Sequence, residues 1–157
     1  MTECYYSSGM SYWSFASCAG HAKPSPDTSL IGIVDDDEPV REAVSSLLRS
    51  AGYRCALFQS AESFLDSPDL AETNCALLDV RMPGLSGLEL QIRLRQLSQA
   101  IPIIFVTAHP DDAVRADALR EGAIAFLRKP FSADALLAAV HDSLASSAIN
   151  KLQSTIR

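Results

Sequence analysis

Residues 31–38 read "IGIVDDDE", from Ile31 to Glu38. A run suited to a buried strand stops at four consecutive acids, Asp35, Asp36, Asp37 and Glu38. Like charges repel, and a carboxylate loses heavily on leaving water unless donors or a cation replace its hydration. Such a cluster therefore stands in open water or beside a cation. What the rest of the chain brings to the same place decides between the two.

The first apolar run, 30–34 "LIGIV", is followed by four more: 53–58 "YRCALF", 75–78 "CALL", 103–106 "IIFV" and 124–127 "IAFL". Short continuous apolar runs suit strands buried on both faces. Helical patterns separate them. Val40, Ala43, Val44, Leu47, Leu48 and Ala51 repeat at the spacing of one helix face. Pro39 suits the start of that helix and Gly52 its end. Ser60 is placed to cap a second helix, and Ser86 and Glu89 have capping-box spacing for a third. Asp111 or Asp112 opens a fourth, with small apolar positions Ala113, Ala116 and Ala118, and Gly122 ends it. Ser132 opens a fifth, with Leu137, Val140, His141 and Leu144 on one face. Alternating strands and helices predict an α/β fold, a five-stranded parallel sheet with helices on both faces.

In such sheets ligands meet the carboxyl ends of the strands. The residues there are Asp35, Asp36 and Asp37; Gln59 and Ser60; Asp79; Thr107 and Ala108; and Arg128, Lys129 and Pro130. Asp35, Asp36 and Asp79 would thus share one rim with Thr107 and Lys129. Clustered carboxylates form an oxygen site for a hard divalent ion such as Mg2+. Lys129 adds a point positive charge and Thr107 a short hydroxyl. This combination suits phosphoryl transfer, in which positioning and charge neutralisation supply most of the catalysis. Asp37 and Glu38 fall to the helix N-terminus, where acids favour the dipole.

The bounds agree. A chain of 157 residues, 48% hydrophobic and 20% charged, is long enough for one domain with a real core. A net charge of −6 argues against unspecific nucleic-acid binding, and no apolar run has the length of a membrane span. Cys4, Cys18, Cys55 and Cys75 have no zinc spacing, and Cys55 and Cys75 read as buried thiols. His21, His109 and His141 are scattered. Residues 1–29 are rich in Ser, Gly and Pro and read as a poorly ordered extension, with Tyr5, Tyr6, Tyr12, Trp13 and Phe15 as an alternative docking motif. Residues 148–157 read as a tail or linker.

Four pieces, "VDDDEPVR", "LLDVRMPGLSGLEL", "PIIFVTAH" and "FLRKPF", occur in order, each at a strand end. With them, residues 30–147 resemble the receiver domain of bacterial two-component response regulators, and among these the FixJ-like subgroup. The resemblance implies a flavodoxin-like sheet of order 2-1-3-4-5. It implies Asp79 as phosphoacceptor, and Mg2+ held by Asp36, Asp79 and the Arg81 carbonyl, with Asp35 helping through water. Lys129 would contact the phosphoryl group, Thr107 would move toward it, and Phe126 would turn inward as the switch aromatic. The Lys129–Pro130 bond would be cis. A histidine kinase would be the partner, in the cytoplasm. The α4-β5-α5 face would relay the signal to an output domain outside this chain, or to a second copy in a homodimer.

Two other functions compete. A haloacid-dehalogenase-type phosphatase needs its nucleophile after the first strand in a DxDx[TV] pattern, whereas Pro39 follows Glu38 here and Asp79 would be idle. A phosphorylation-independent interaction module would be expected to lack an acid, the Thr or the Lys, and all are present.

Overall fold

In the computed structural model the described residues are 28–156, with side chains described as far as Ile149. The aromatic stretch at residues 5–15, Cys4, Cys18 and His21 lie outside them. The elements are β1 (Leu30–Val34), α1 (Glu38–Ser50), β2 (Arg54–Phe58), α2 (Ala61–Leu65), a 3-10 turn (Pro68–Glu72), β3 (Thr73–Asp79), α3 (Gly87–Gln96), β4 (Ile103–Thr107), α4 (Asp112–Arg120), β5 (Ala125–Arg128) and α5 (Ala133–Ile156). The strands form one sheet in the order β2-β1-β3-β4-β5, every pair parallel.

Alternation along the strands builds two cores. Ile31, Ile33, Cys75, Leu77 and Ile104 point to the α1 and α5 side, where they meet Val44, Leu48, Leu136 and Val140. Val34, Ala76, Leu78, Ile103 and Phe105 point to the other side, onto Phe64, Leu90, Leu94 and Ala118 of α2, α3 and α4. Each fully buried leucine or phenylalanine contributes about 1.5–3 kcal/mol of transfer free energy, so both layers press firmly on the central strands.

The helix starts follow local chemistry. Ser60 and Ser86 each complete a capping box, and Asp111 accepts from the N–H groups of Ala113 and Val114. Asp37 stands at the N-cap of α1 without a side-chain cap bond, and Pro39 sits in the first turn. Past α4, Gly122 has φ +101, a conformation that a β-carbon disfavours.

Some boundaries and faces differ from the sequence reading. β3 begins two residues early, at Thr73, because the register with β1 shifts there and Asn74 Oδ1 accepts the Leu30 N–H at 2.8 Å. A polar start of this kind hides from an apolar-run search. Ser29 is buried and its carbonyl accepts the Arg54 N–H, so the packed fold includes this residue. On α4 only Ala118 is buried, while Ala113 and Ala116 face solvent. On α5 the buried face is Leu136, Ala139, Val140, Ser143 and Leu144, and His141 is exposed. Cys75 is buried, its thiol pushed up to about 12 by desolvation, whereas Cys55 is only half-buried. The backbone of α5 is helical as far as Ile156, through most of the stretch read as a tail or linker. No helix among the described residues is long and apolar enough to cross a membrane.

Candidate functional site

The carboxyl ends of β1, β3, β4 and β5 converge on one pocket. Asp35 follows β1, Asp79 and Thr107 end β3 and β4, and Lys129 follows β5. Asp35, Asp79 and Thr107 are 2%, 8% and 1% exposed, so the ends of buried strands carry polar groups into low dielectric. Lys129 Nζ donates to Asp35 Oδ2 at 2.8 Å and lies 3.6 Å from Asp79 Oδ2. One oxygen each of Asp35, Asp36 and Asp79 lies within 4.8 Å of the other two. Asp36 is exposed and opens the cluster to solvent.

The backbone holds these groups in place. Asp35 Oδ1 accepts the Asp37 N–H at 2.9 Å, so each of its oxygens has a donor. Asp79 Oδ1 accepts the Arg81 N–H at 3.3 Å. Thr107 Oγ1 accepts the His109 N–H at 3.1 Å, and the Thr107 carbonyl accepts the Lys129 N–H at 2.8 Å, tying the exits of β4 and β5 together. The Lys129–Pro130 bond is cis.

Burial pushes the Asp79 carboxyl above its ordinary range; Lys129 and the Arg81 N–H oppose this, and the charges of Asp35 and Asp36 add to it. Burial alone would lower Lys129, but its hydrogen bond to Asp35 and the charges of Asp79 and Asp35 hold it above its ordinary value. Three carboxylates against one ammonium leave excess negative charge, and all the free donors are hard oxygens. That set fits a divalent cation such as Mg2+ better than a soft metal.

Three supporting residues escape a reading by strand ends. Arg41 Nη1 donates to the Asp35 carbonyl at 2.6 Å. Glu62 Oε2 accepts the Leu85 N–H at 2.9 Å and so braces the loop after Asp79. Gly87 packs against Asp79 itself: a β-carbon there would lie 2.3 Å from the Asp79 carbonyl oxygen. The Gly87 signal was present inside "LSGLEL", but only as part of a helix cap. Phe126 is half-buried, its ring centroid 6.1 Å from that of the buried Phe105. Arg81 and His109 are exposed at the pocket edge.

The family model described as response regulator receiver domain matches residues 31–141. The chain belongs to the response-regulator receiver family. Response regulator protein TmoT of Ectopseudomonas mendocina is 47% identical over 116 residues, 74% of this chain and 53% of TmoT. Transcriptional regulatory protein FixJ of Bradyrhizobium diazoefficiens is 39% identical over 114 residues, 73% of this chain and 56% of FixJ. Among solved structures, response regulator StyR superposes with TM-score 0.76 at 42% identity, over 82% of this chain and 65% of that one. FixJ-N superposes with TM-score 0.68 at 34% identity, over 74% of this chain and 94% of that one. The receiver thus resembles FixJ in sequence and fold, and this chain spans about half the length of the curated relatives it matches.

Proposed function

We propose that this receiver accepts a phosphoryl group on Asp79 from a partner histidine kinase, in a reaction that depends on Mg2+. The observation that carries the reading is Asp79 itself: a buried carboxylate at a strand end, 3.6 Å from Lys129 and clustered with Asp35 and Asp36. Asp36, Asp79 and the Arg81 carbonyl would hold Mg2+, with Asp35 helping through water. When bound, the ion neutralises negative charge on the transferring phosphoryl oxygens.

An Asp79 carboxylate oxygen attacks phosphorus in line. The new O–P bond forms as the P–N bond of a phosphohistidine breaks, and the electron pair returns to the imidazole nitrogen. Lys129, already within reach of Asp79, shifts its charge toward the phosphoryl oxygens. Thr107 turns its hydroxyl from the His109 backbone to a phosphoryl oxygen, and Phe126 fills the space behind it. The α4-β5-α5 face then changes its packing. Because α4 buries only Ala118, its anchoring is weak, as a bistable element requires. The switched face pairs with a second copy or with an output domain outside this chain. This reading makes the domain a cytoplasmic signalling switch that acts only on its own phosphorylation state, and it leaves Asp79 with a role that the phosphatase alternative lacks.

Acetyl phosphate or phosphoramidate with Mg2+ should add one phosphoryl group, read by intact mass. The adduct should be labile to hydroxylamine and absent from Asp79→Asn. A hydroxylamine-stable adduct, or undiminished labelling of Asp79→Asn, would sink the proposal.

A further inference from the structure

Every polar group of Asp35 is bonded. Its N–H donates to the Phe58 carbonyl at 3.1 Å, at the end of β2. Its carbonyl accepts Arg41 Nη1 at 2.6 Å, from α1. Its two carboxylate oxygens accept the Asp37 N–H and Lys129 Nζ. Asp36, the next residue, has no such support. Its side chain is exposed, and among the described residues it makes no hydrogen bond or salt bridge. The direction of its carboxylate therefore comes from its backbone. Arg41 holds that backbone on both sides. Its main-chain N–H donates to the Asp37 carbonyl at 3.0 Å, and its guanidinium donates to the Asp35 carbonyl. We propose that Arg41 is a positioning residue for the divalent cation: by clamping the Asp35 and Asp37 carbonyls it aims Asp36 into the cluster with Asp35 and Asp79, and so sets the affinity for Mg2+. This inference rests on the Mg2+ site proposed above.

Other roles fit the guanidinium poorly. It lies near the N-terminal end of α1, where a positive charge gains nothing from the helix dipole. Among the described residues it makes no salt bridge, so it does not neutralise the acids by direct pairing. As a plain charge beside the cluster, Arg41 would repel a second cation, and removing it would tighten Mg2+ binding. As a clamp, removing it frees Asp36 and weakens Mg2+ binding. The two roles predict opposite signs.

The residue type suits the clamp. A guanidinium donates charge-assisted bonds about twice as strong as neutral ones, from a planar group that stays charged. A lysine in its place would keep the charge on a shorter, more strongly hydrated donor. Groups that orient metal ligands typically change metal affinity about 10–100-fold when removed. Arg41 acts on one ligand through the backbone, which places its effect at the lower end, about tenfold.

The test is a titration of the backbone amide chemical shifts with MgCl2. It compares the wild type with Arg41→Met and Arg41→Gln, which carry no charge, and with Arg41→Lys, which keeps it. Circular dichroism and melts without divalent ions check the fold, and two uncharged variants keep the test readable if one unfolds. The Mg2+ Kd should be about tenfold weaker in the uncharged variants, with Arg41→Lys between them and the wild type. Uncharged variants that bind Mg2+ as tightly as the wild type, or more tightly, overturn the proposal. A lower Tm with an unchanged Kd also overturns it, since Arg41 would then serve the fold alone. If the wild type binds Mg2+ and the variants match it, the cation site stands and only the role of Arg41 falls. If the wild type shows no Mg2+ binding, both fall.

Discussion

Gly87→Ala tests whether the floor of the site is as tight as the structure shows. The new β-carbon would lie 2.3 Å from the Asp79 carbonyl oxygen and 3.1 Å from both the Asp79 carbonyl carbon and Phe105 Cε1, where ordinary contact begins at 3.4 Å. The overlap is about 1 Å, and the closest atoms are backbone at the end of a central strand, which no rotamer change can relieve. Either the first turn of α3 or the end of β3 must move by about that much. Overpacking of this kind costs about 2–3 kcal/mol, toward the upper end of its usual range. For a domain of this size that corresponds to a fall in Tm of roughly 10 °C. A carboxylate displaced by about 1 Å should also lose about 100-fold in reaction rate. Gly122→Ala is the matched control. Its β-carbon would meet nothing within 4 Å, but the φ of +101 makes it strained, at about 1–3 kcal/mol. The assay pairs thermal melts with the initial rate of phosphoryl labelling from acetyl phosphate. Both variants should lose stability, and only Gly87→Ala should lose labelling out of proportion to it. If Gly87→Ala melts within a degree or so of the wild type and labels at the same rate, the close approach to Asp79 is wrong.

Other outcomes follow from the charges in the pocket. At free Mg2+ about 100-fold above Kd, mass action should stabilise the fold by about 2.7 kcal/mol, and Asp36→Ala should abolish the effect; equal Mg2+ stabilisation of that variant refutes the ligand assignment. Asp79 has a carboxyl raised mainly by burial, so the folded chain holds this proton more tightly than the unfolded chain does. Its ionised form therefore costs stability above the raised folded value, and the cost is relieved as pH falls through it. Asp79→Asn should accordingly raise Tm at about pH 7 without divalent ions, with a smaller gain near pH 4; equal gains at the two would refute the linkage. Beryllofluoride with Mg2+ should raise the dimer fraction in sedimentation and change hydrogen exchange most in residues 107–131. No change in either would exclude α4-β5-α5 as the output face.

The outline of the fold was legible because its cause is local. A buried parallel strand needs a short unbroken apolar run, and "LIGIV", "CALL" and "IIFV" are such runs. The candidate site was legible for the same reason: strand-end position alone brought Asp35, Asp79, Thr107 and Lys129 into one neighbourhood. Where a property depends on a distant partner, local pattern failed. His141 satisfied the spacing of an apolar face of α5, yet the buried stripe runs through Leu136, Ala139, Val140, Ser143 and Leu144 and leaves it in solvent beside Val140. Ala113, Ala116 and Ala118 read together as a small-faced surface of α4, yet of the three only Ala118 is buried. Gly87 was visible as a helix-cap residue and not as the floor beneath Asp79, because that contact crosses from a helix start to a strand end.

By itself the sequence determined which residue types meet at the rim: three carboxylates, one hydroxyl and one ammonium. Only the tertiary structure decided how they share their charge. Lys129 bonds Asp35, 94 positions away, at 2.8 Å and stands 3.6 Å from Asp79. The choice depends on β1, β3 and β5 lying at particular distances in one sheet. Differences of under 1 Å between partly buried charges change which pair dominates, because low dielectric magnifies them. That geometry leaves Asp35 satisfied by Lys129 and the Asp37 N–H, and Asp79 less fully paired, with the Arg81 N–H at 3.3 Å and Lys129 at 3.6 Å.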